Sequence, residues 1–258
     1  MTISETATGA TTTAGVDRPA LDEATRAKLM KVGSANVANV LLKRGYRNVM
    51  LLGLAPLRPD QPQLVGPAYT LRFIPAREDI DSMATYGRQD NLHRRAIEEA
   101  PAGSVLVIDA HGSLEASSMG DMMAARLKYR GVAGVVTDGG FRDCPAIAEV
   151  GLPSFQQAAA PPATPIKLHP IALDEPIGCA GVAIYPGDVL VGDGEGVAVI
   201  PAHLVEEVAD EALDAVEYEE FAAGHIARGR SIFGLFPATE ASRAEYDTWV
   251  AAGRPPMK

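Results

Sequence analysis

Residues 104–143 constrain the fold of this chain more than any other segment. Ser104–Asp109 (SVLVID) is a short apolar run closed by a carboxylate, the pattern of a buried strand. His111–Gly120 is polar and rich in small residues, and reads as a loop. Asp121–Arg130 (DMMAARLKYR) predicts a helix, with Gly131 placed as its C-terminal stop. Val132–Thr137 (VAGVVT) is a second buried strand, followed by Asp138-Gly139-Gly140 and Phe141-Arg142-Asp143. Strand, loop, helix, strand and loop form one α/β unit with its polar loops at strand ends. The fold class is therefore α/β.

The flanking segments extend this pattern. Leu21–Lys31 predicts a helix. A second helix is expected to start with Ser34 as N-cap, run through Val37, Val40 and Leu41, and stop at Gly45. Leu64–Ile74 is rich in β-formers and predicts a strand. Pro153–Pro176 reads as an irregular crossover, and strands resume near Gly181–Tyr185, Val189–Val191 and Val197–Ile200. Val205, Val208, Ala209, Ala212, Leu213 and Val216 follow helical spacing, which predicts a long amphipathic helix from Leu204 to Ala223. The expected organisation is a Thr/Ala/Gly-rich tail (1–18), one α/β catalytic domain (19–225), and a C-terminal extension (226–258) that packs on the domain or on a neighbouring subunit.

Charge narrows the function. The formal net charge is −10, from 23 Lys and Arg against 33 Asp and Glu, and a field of that sign opposes nucleic acid and anionic membranes. It also repels an anionic substrate, so a carboxylate ligand requires a local cation: clustered arginine or a metal ion. No apolar run approaches the roughly 18 residues of a membrane helix. No basic-then-apolar signal opens the chain, and the two cysteines, Cys144 and Cys179, are too few for a disulfide framework, so a cytoplasmic protein is expected.

Three motifs carry candidate chemistry. Gly120-Asp121-Met122-Met123 opens a helix, whose free N–H groups and dipole favour a carboxylate; taken alone, Asp121 reads first as an ordinary first-turn residue. Arg142-Asp143 follows two glycines at a strand end. Arginine clamps a carboxylate or enolate, and aspartate offers a hard oxygen to Mg²⁺ or Mn²⁺; the bland alternative is a surface ion pair. Gly187-Asp188 and Gly192-Asp193-Gly194-Glu195-Gly196 supply carboxylates that suit either the surroundings of a metal or a plain hairpin turn. They match no nucleotide-binding pattern. The five histidines lack zinc spacing, and Cys144 has no nucleophile signature beside it.

Asp121, twenty intervening residues, then Arg142-Asp143 resembles the D-x20-R-D signature of the family of the regulator of ribonuclease activity A. That family includes class II 4-hydroxy-4-methyl-2-oxoglutarate and 4-carboxy-4-hydroxy-2-oxoadipate aldolases. GSVLVIDAHG, GDMMAARLKYRGVAGVVTDGGFRD and PGDVLVGDGEGVAVIP agree with it, as do GSANVANVLLKRG and LVGPAYTLRF. The resemblance covers about residues 30–220.

It implies a compact α/β sandwich of the swivelling-domain type, assembled as a trimer or a hexamer with sites between subunits. It also implies that Asp143 binds Mg²⁺ or Mn²⁺, that Arg142 holds the pyruvyl oxygens, and that N–H groups of Gly120, Met122 and Met123 bind the carboxylate. Asp121 would act with a water in proton transfer, and Asp193 or Glu195 of a neighbouring subunit would orient metal-bound water. One departure stands out: Ala146 occupies a position where the aldolases often carry an acid. The activity implied is metal-dependent aldol cleavage of a 4-hydroxy-2-oxo acid to pyruvate, with oxaloacetate decarboxylation as a side activity. Dehydration of a sugar-derived acid at the same site and non-catalytic regulation of ribonuclease E are the alternatives.

Overall fold

The computed structural model describes residues 21–256. The tail expected at 1–18 lies outside them. The α/β class holds. Among the described residues, an eight-stranded mixed sheet runs Ala55–Pro56, Ser154–Gln156, Gly134–Thr137, Val105–Asp109, Leu64–Pro75, Val189–Asp193, Gly196–Ile200, with Leu168–Leu173 also paired to Leu64–Pro75. The four strands from Ser154–Gln156 through Leu64–Pro75 are mutually parallel. Leu64–Pro75 is the pivot. Its first residues pair antiparallel with Val189–Gly192, its end pairs antiparallel with Leu168–Leu173, and its other edge pairs parallel with Val105–Asp109. Its ladder with Leu168–Leu173 shifts register between Arg72 and Phe73.

The apolar runs read from sequence are buried as expected. Every residue of Val105–Asp109 and of Gly134–Thr137 is buried, because helices and the other strands cover both faces. One core lies between these strands and the helices Leu92–Glu99 and Asp121–Tyr129, around Leu106, Ile108, Ile97, Leu127 and Phe141. A second joins Ser34–Lys43 and Val205–Ile226 to the antiparallel strands through Val37, Leu41, Val191, Ile200 and Val208. The helix Glu240–Ala251 packs on the end of Val205–Ile226, with Tyr246 buried beside Tyr218, Phe221 and Leu235.

Three expectations are corrected. The loop predicted at His111–Gly120 contains the strand Ser117–Met119, which pairs parallel with Gly140–Phe141; Gly140–Phe141 in turn pairs parallel with Ala158–Ala159. These elements are two or three residues long, too short to show a period. The Pro153–Pro176 segment is largely regular: it holds Ser154–Gln156, Ala158–Ala159, a 3-10 turn at Thr164–Ile166 and Leu168–Leu173. Ser34 is the first helical residue and not the cap, which is Gly33. The capping oxygens come from Asp193, which accepts from Ser34 N at 2.6 Å and from Ser34 Oγ at 2.9 Å.

Candidate active site

The small parallel sheet explains how residues distant in sequence meet. Met119 pairs with Phe141, so the residues that follow each, Gly120-Asp121 and Arg142-Asp143, leave the sheet side by side. Arg142 N donates to Met119 O at 3.0 Å and locks the two exits together. Phe141 N donates to the buried Gln156 Oε1 at 2.7 Å, which fixes the turn from behind. Gly140 has to be glycine, since a Cβ there would collide with the carbonyl oxygen of Ala158.

Gly120 is the floor of the arrangement. It caps the helix Asp121–Tyr129 with an extended backbone and no side-chain bond. A Cβ at Gly120 would lie 3.0 Å from Arg142 Nε and 3.1 Å from Asp143 Oδ2, so both charged groups rest against bare backbone at the helix start. Arg142 Nε lies 3.3 Å from Asp143 Oδ2, with both side chains about half exposed at 46% and 47%. Asp143 adopts a left-handed conformation (φ 56°, ψ 33°) and opens the helix Cys144–Val150 without using its side chain as a cap, which leaves the carboxylate directed to other partners. Asp121 Oδ1 accepts from Met122 N at 2.8 Å, so this carboxylate already occupies one N–H of the helix start.

Gly120, Asp121, Met122, Met123 and Arg142 line one wall of a cleft of about 730 Å³. Asp143 stands at its edge through Arg142. The opposite wall comes from the helices Met83–Tyr86 and Leu92–Glu99, with Tyr86, Arg88 and Arg94 among its residues. The sequence reading passed over this wall. Its signals were present: Asn91 caps the second helix by accepting from His93 N and Arg94 N, and Ser82 with Thr85 forms a capping box for the first. The lining counts Arg88, Arg94, Arg95, Arg126 and Arg142 against Glu98, Glu99 and Asp121. Arg88, Arg95 and Arg126 are paired with Asp90, Glu99 and Glu98, and Arg142 lies beside Asp143, so Arg94 is the lining arginine without a carboxylate partner among the described residues.

The remaining candidates fall elsewhere in the protomer. Asp193 and Glu195 belong to the hairpin between Val189–Asp193 and Gly196–Ile200, and neither lines the cleft. Asp193 caps the Ser34 helix and accepts from Glu195 N at 2.9 Å; Glu195 is exposed. Asp188 is buried and accepts from Tyr185 N and Ala202 N, and its burial pushes its carboxyl above the usual range. Asp109 and Asp138 end adjacent parallel strands. Asp138 accepts from Ala110 N at 2.7 Å and Ala180 N at 3.3 Å, and burial raises its pKa. His111, the loop histidine, sits 3.7 Å from Asp109. Cys144 Sγ contacts Phe141 O and Gln156 and packs behind the Arg142 turn.

Among the described residues no three His, Cys, Asp or Glu side chains converge as a metal-ligand group. An ion at Asp143 would therefore rely on one protein carboxylate with solvent or substrate oxygens, or on another subunit. A single hard-oxygen donor suits Mg²⁺, which keeps several of its waters.

Fold and cleft together define an α/β protein whose strand-end loops bring an arginine, an aspartate and a helix N-terminus together at one cleft. The chain belongs to the RraA-like family, whose Aldolase/RraA model matches residues 34–199. The 4-hydroxy-4-methyl-2-oxoglutarate aldolase of Thermus thermophilus is 35% identical over 114 residues, 44% of this chain and 69% of that one. A Halalkalibacterium halodurans protein provisionally given the same name is 35% identical over 153 residues, 59% of this chain and 67% of that one. Streptomyces coelicolor RraAS2, described as an unusual member of the RNase ES inhibitor RraA family, superposes with a TM-score of 0.69 at 34% identity, over 83% of this chain and 100% of that one. Among the described residues no helix is long and apolar enough to cross a membrane.

Proposed function

We propose that the chain is a divalent-metal-dependent lyase that cleaves a 4-hydroxy-2-oxo acid to pyruvate and a second carbonyl product. The observation that carries this reading is that Gly120, Asp121 and Arg142 line one cleft wall with the Asp143 carboxylate against Gly120 and Arg142, together with the aldolase names of relatives at 35% identity. Asp143 is the side chain that would hold Mg²⁺ or Mn²⁺; when bound, the ion supplies a Lewis acid for the 2-oxo oxygen.

The chain's own groups account for the rest. The helix start at Gly120–Met123 binds the substrate carboxylate through N–H groups and dipole. That carboxylate displaces Asp121 from Met122 N and frees Asp121 for proton transfer. Asp121, acting through a water, takes the proton of the 4-hydroxyl. The C3–C4 bond then breaks, C4 becomes a carbonyl, and the electron pair passes to the pyruvate enolate. Arg142 donates to the enolate oxygen, where negative charge grows, so its stabilisation is larger in the transition state than in the ground state. Reprotonation of C3 yields pyruvate.

Oxaloacetate decarboxylation passes through the same enolate and provides the test. With Mg²⁺ or Mn²⁺, wild-type protein is expected to release pyruvate above the no-enzyme rate in a lactate-dehydrogenase-coupled assay. Oxalate, a planar mimic of the enolate, is expected to inhibit competitively. Asp143→Asn is expected to lose the metal-dependent rate. Arg142→Lys keeps the charge but not the planar fork, and is expected to lower kcat/KM by on the order of a hundredfold. Equal pyruvate rates in wild type and Asp143→Asn, with no effect of oxalate, would sink the enolate reading. The family name of the Streptomyces neighbour favours one rival, a protein-binding regulator of ribonuclease. A pure binding surface has no need of this charge assembly, and a pull-down against ribonuclease E beside the turnover assay separates the two.

A further inference from the structure

Between the strand Leu64–Pro75 and the helix Leu92–Glu99 the chain reads AREDIDSMATYGRQDN, a stretch too polar to build a core of its own. Residues 77–85 accordingly bury little: Asp81 and Thr85 are half-buried and the others are exposed. The segment bonds instead to itself. Arg77 N donates to Asp81 Oδ2 at 2.8 Å, Asp81 N donates to Arg77 O at 2.9 Å, and Ser82 and Thr85 close their capping box around the short helix Met83–Tyr86. Among the described residues one hydrogen bond ties its middle to another element, the 2.7 Å bond between Asp81 Oδ1 and His169 Nδ1.

Both ends are fixed. At one, Ala76 N donates to Lys167 O at 2.8 Å, just beyond the fully buried Phe73. At the other, the Tyr86 ring stands 5.8 Å from the ring of the buried His93, and its carbonyl accepts from Arg94 Nε at 2.9 Å. A self-bonded segment with anchored ends and almost no buried surface belongs to the least stable part of a fold, the part from which lids are drawn.

The tip of this segment faces the cleft. Met83 lines it while 67% exposed, and Met122 lines the facing wall while 78% exposed. Two unbranched thioether side chains of this kind adapt to whatever lies beneath them. We propose that residues 77–85 form a lid that swings Met83 onto Met122 when a ligand fills the cleft, with Asp81–His169 as the latch of its resting position. An empty cleft gives Met83 no floor to pack on; a bound ligand supplies one, and so stabilises the closed position selectively. Closure excludes water from Arg142 and Asp143, which strengthens every charge interaction made there. The choice of ligand rests on the lyase reading above.

The test is hydrogen exchange of the full chain, read by mass spectrometry over residues 77–85, with and without oxalate and Mg²⁺. Calorimetry of oxalate binding and oxaloacetate turnover run beside it. Oxalate is expected to slow exchange in this segment about tenfold or more. Met83→Ser is expected to lose that protection and to weaken oxalate binding about tenfold, the scale set by burying a side chain of this size. Circular dichroism checks the fold of each variant. His169→Ala is expected to speed exchange of the segment in the ligand-free protein. If oxalate does not bind and oxaloacetate is not turned over, the lyase assignment fails and the lid for that ligand with it. If oxalate binds and exchange over residues 77–85 is unchanged, the lid fails alone. A segment already protected in the ligand-free protein overturns it too, because a neighbouring copy then covers it. Wild-type protection and affinity in Met83→Ser overturn the role of the tip, and unchanged exchange in His169→Ala overturns the latch.

Discussion

At Gly120 the absence of one atom decides the geometry of the site. The backbone there is extended at φ −127°, a conformation alanine also adopts, so the glycine is not required by strain. It is required by space, because a Cβ would press on Arg142 Nε and Asp143 Oδ2. Gly120→Ala is therefore expected to shift the arginine and to lower kcat/KM at least tenfold, since displacements of about 1 Å at a reacting centre cost up to a hundredfold. Its stability cost should stay near 1 kcal/mol, the usual scale at a helix cap. An unchanged kcat/KM would remove Gly120 from the site.

His93 makes a different prediction at the same scale. It is fully buried against Phe73 and Tyr86, and burial pushes its pKa down to about 4. The unfolded chain protonates this residue near pH 6.5, whereas the folded chain does so only near 4. The stability it confers is present above pH 6.5 and lost as pH falls toward 4. Relative to His93→Phe, wild type is expected to lose roughly 3 kcal/mol across that window. A pH-independent difference in urea-unfolding free energy would contradict this.

Elements differ in how plainly they show in the sequence. The strands Val105–Asp109 and Gly134–Thr137 and the helices Asp121–Tyr129 and Val205–Ile226 were legible, because burial on both faces or a sustained helical stripe leaves a pattern. The strands that place the site were not. Ser117–Met119 and Gly140–Phe141 are too short for periodicity, and their pairing depends on contacts across more than twenty residues. The same limit hid the partner of the Ser34–Lys43 helix. Its capping carboxylate, Asp193, lies 159 residues away, so Ser34 looked like its own cap. Arg142 and Asp143 could be picked out by motif, whereas no motif singles out Tyr86 and Arg94, which line the cleft together with Met123. The capping geometry predicts that Asp193→Ala loses about 1–2 kcal/mol, because it strips the acceptor from Ser34 N and Ser34 Oγ and also opens the hairpin bond to Glu195 N. A loss below about 0.3 kcal/mol in chemical denaturation would show that the cap is dispensable.

For the whole molecule, the open question is what covers its apolar exterior. The segment Ile232–Phe236 turns its apolar side chains in opposite directions. Leu235 is fully buried against Tyr218 and Phe221, whereas Phe233 is 90% exposed and Ile232 and Phe236 are 49% and 43% exposed. Met122, in the candidate site itself, is 78% exposed. Isolated exposed side chains are ordinary, but an aromatic tip beside two further apolar residues marks a surface that gains by association. Identical chains that bury such a patch form closed, symmetric assemblies. The protein is accordingly expected to run as a closed oligomer, with the trimer as the leading arrangement. Light scattering at micromolar concentration should then return three times the 27.1 kDa chain mass, or twice that value for a pair of trimers. Phe233→Asp should weaken the assembly while leaving far-ultraviolet circular dichroism intact, because that side chain supports nothing inside the protomer. If the oligomer completes the site, the variant should also lose kcat/KM, and the loss should reverse as protein concentration rises. A monomer mass for the wild-type protein would overturn the prediction.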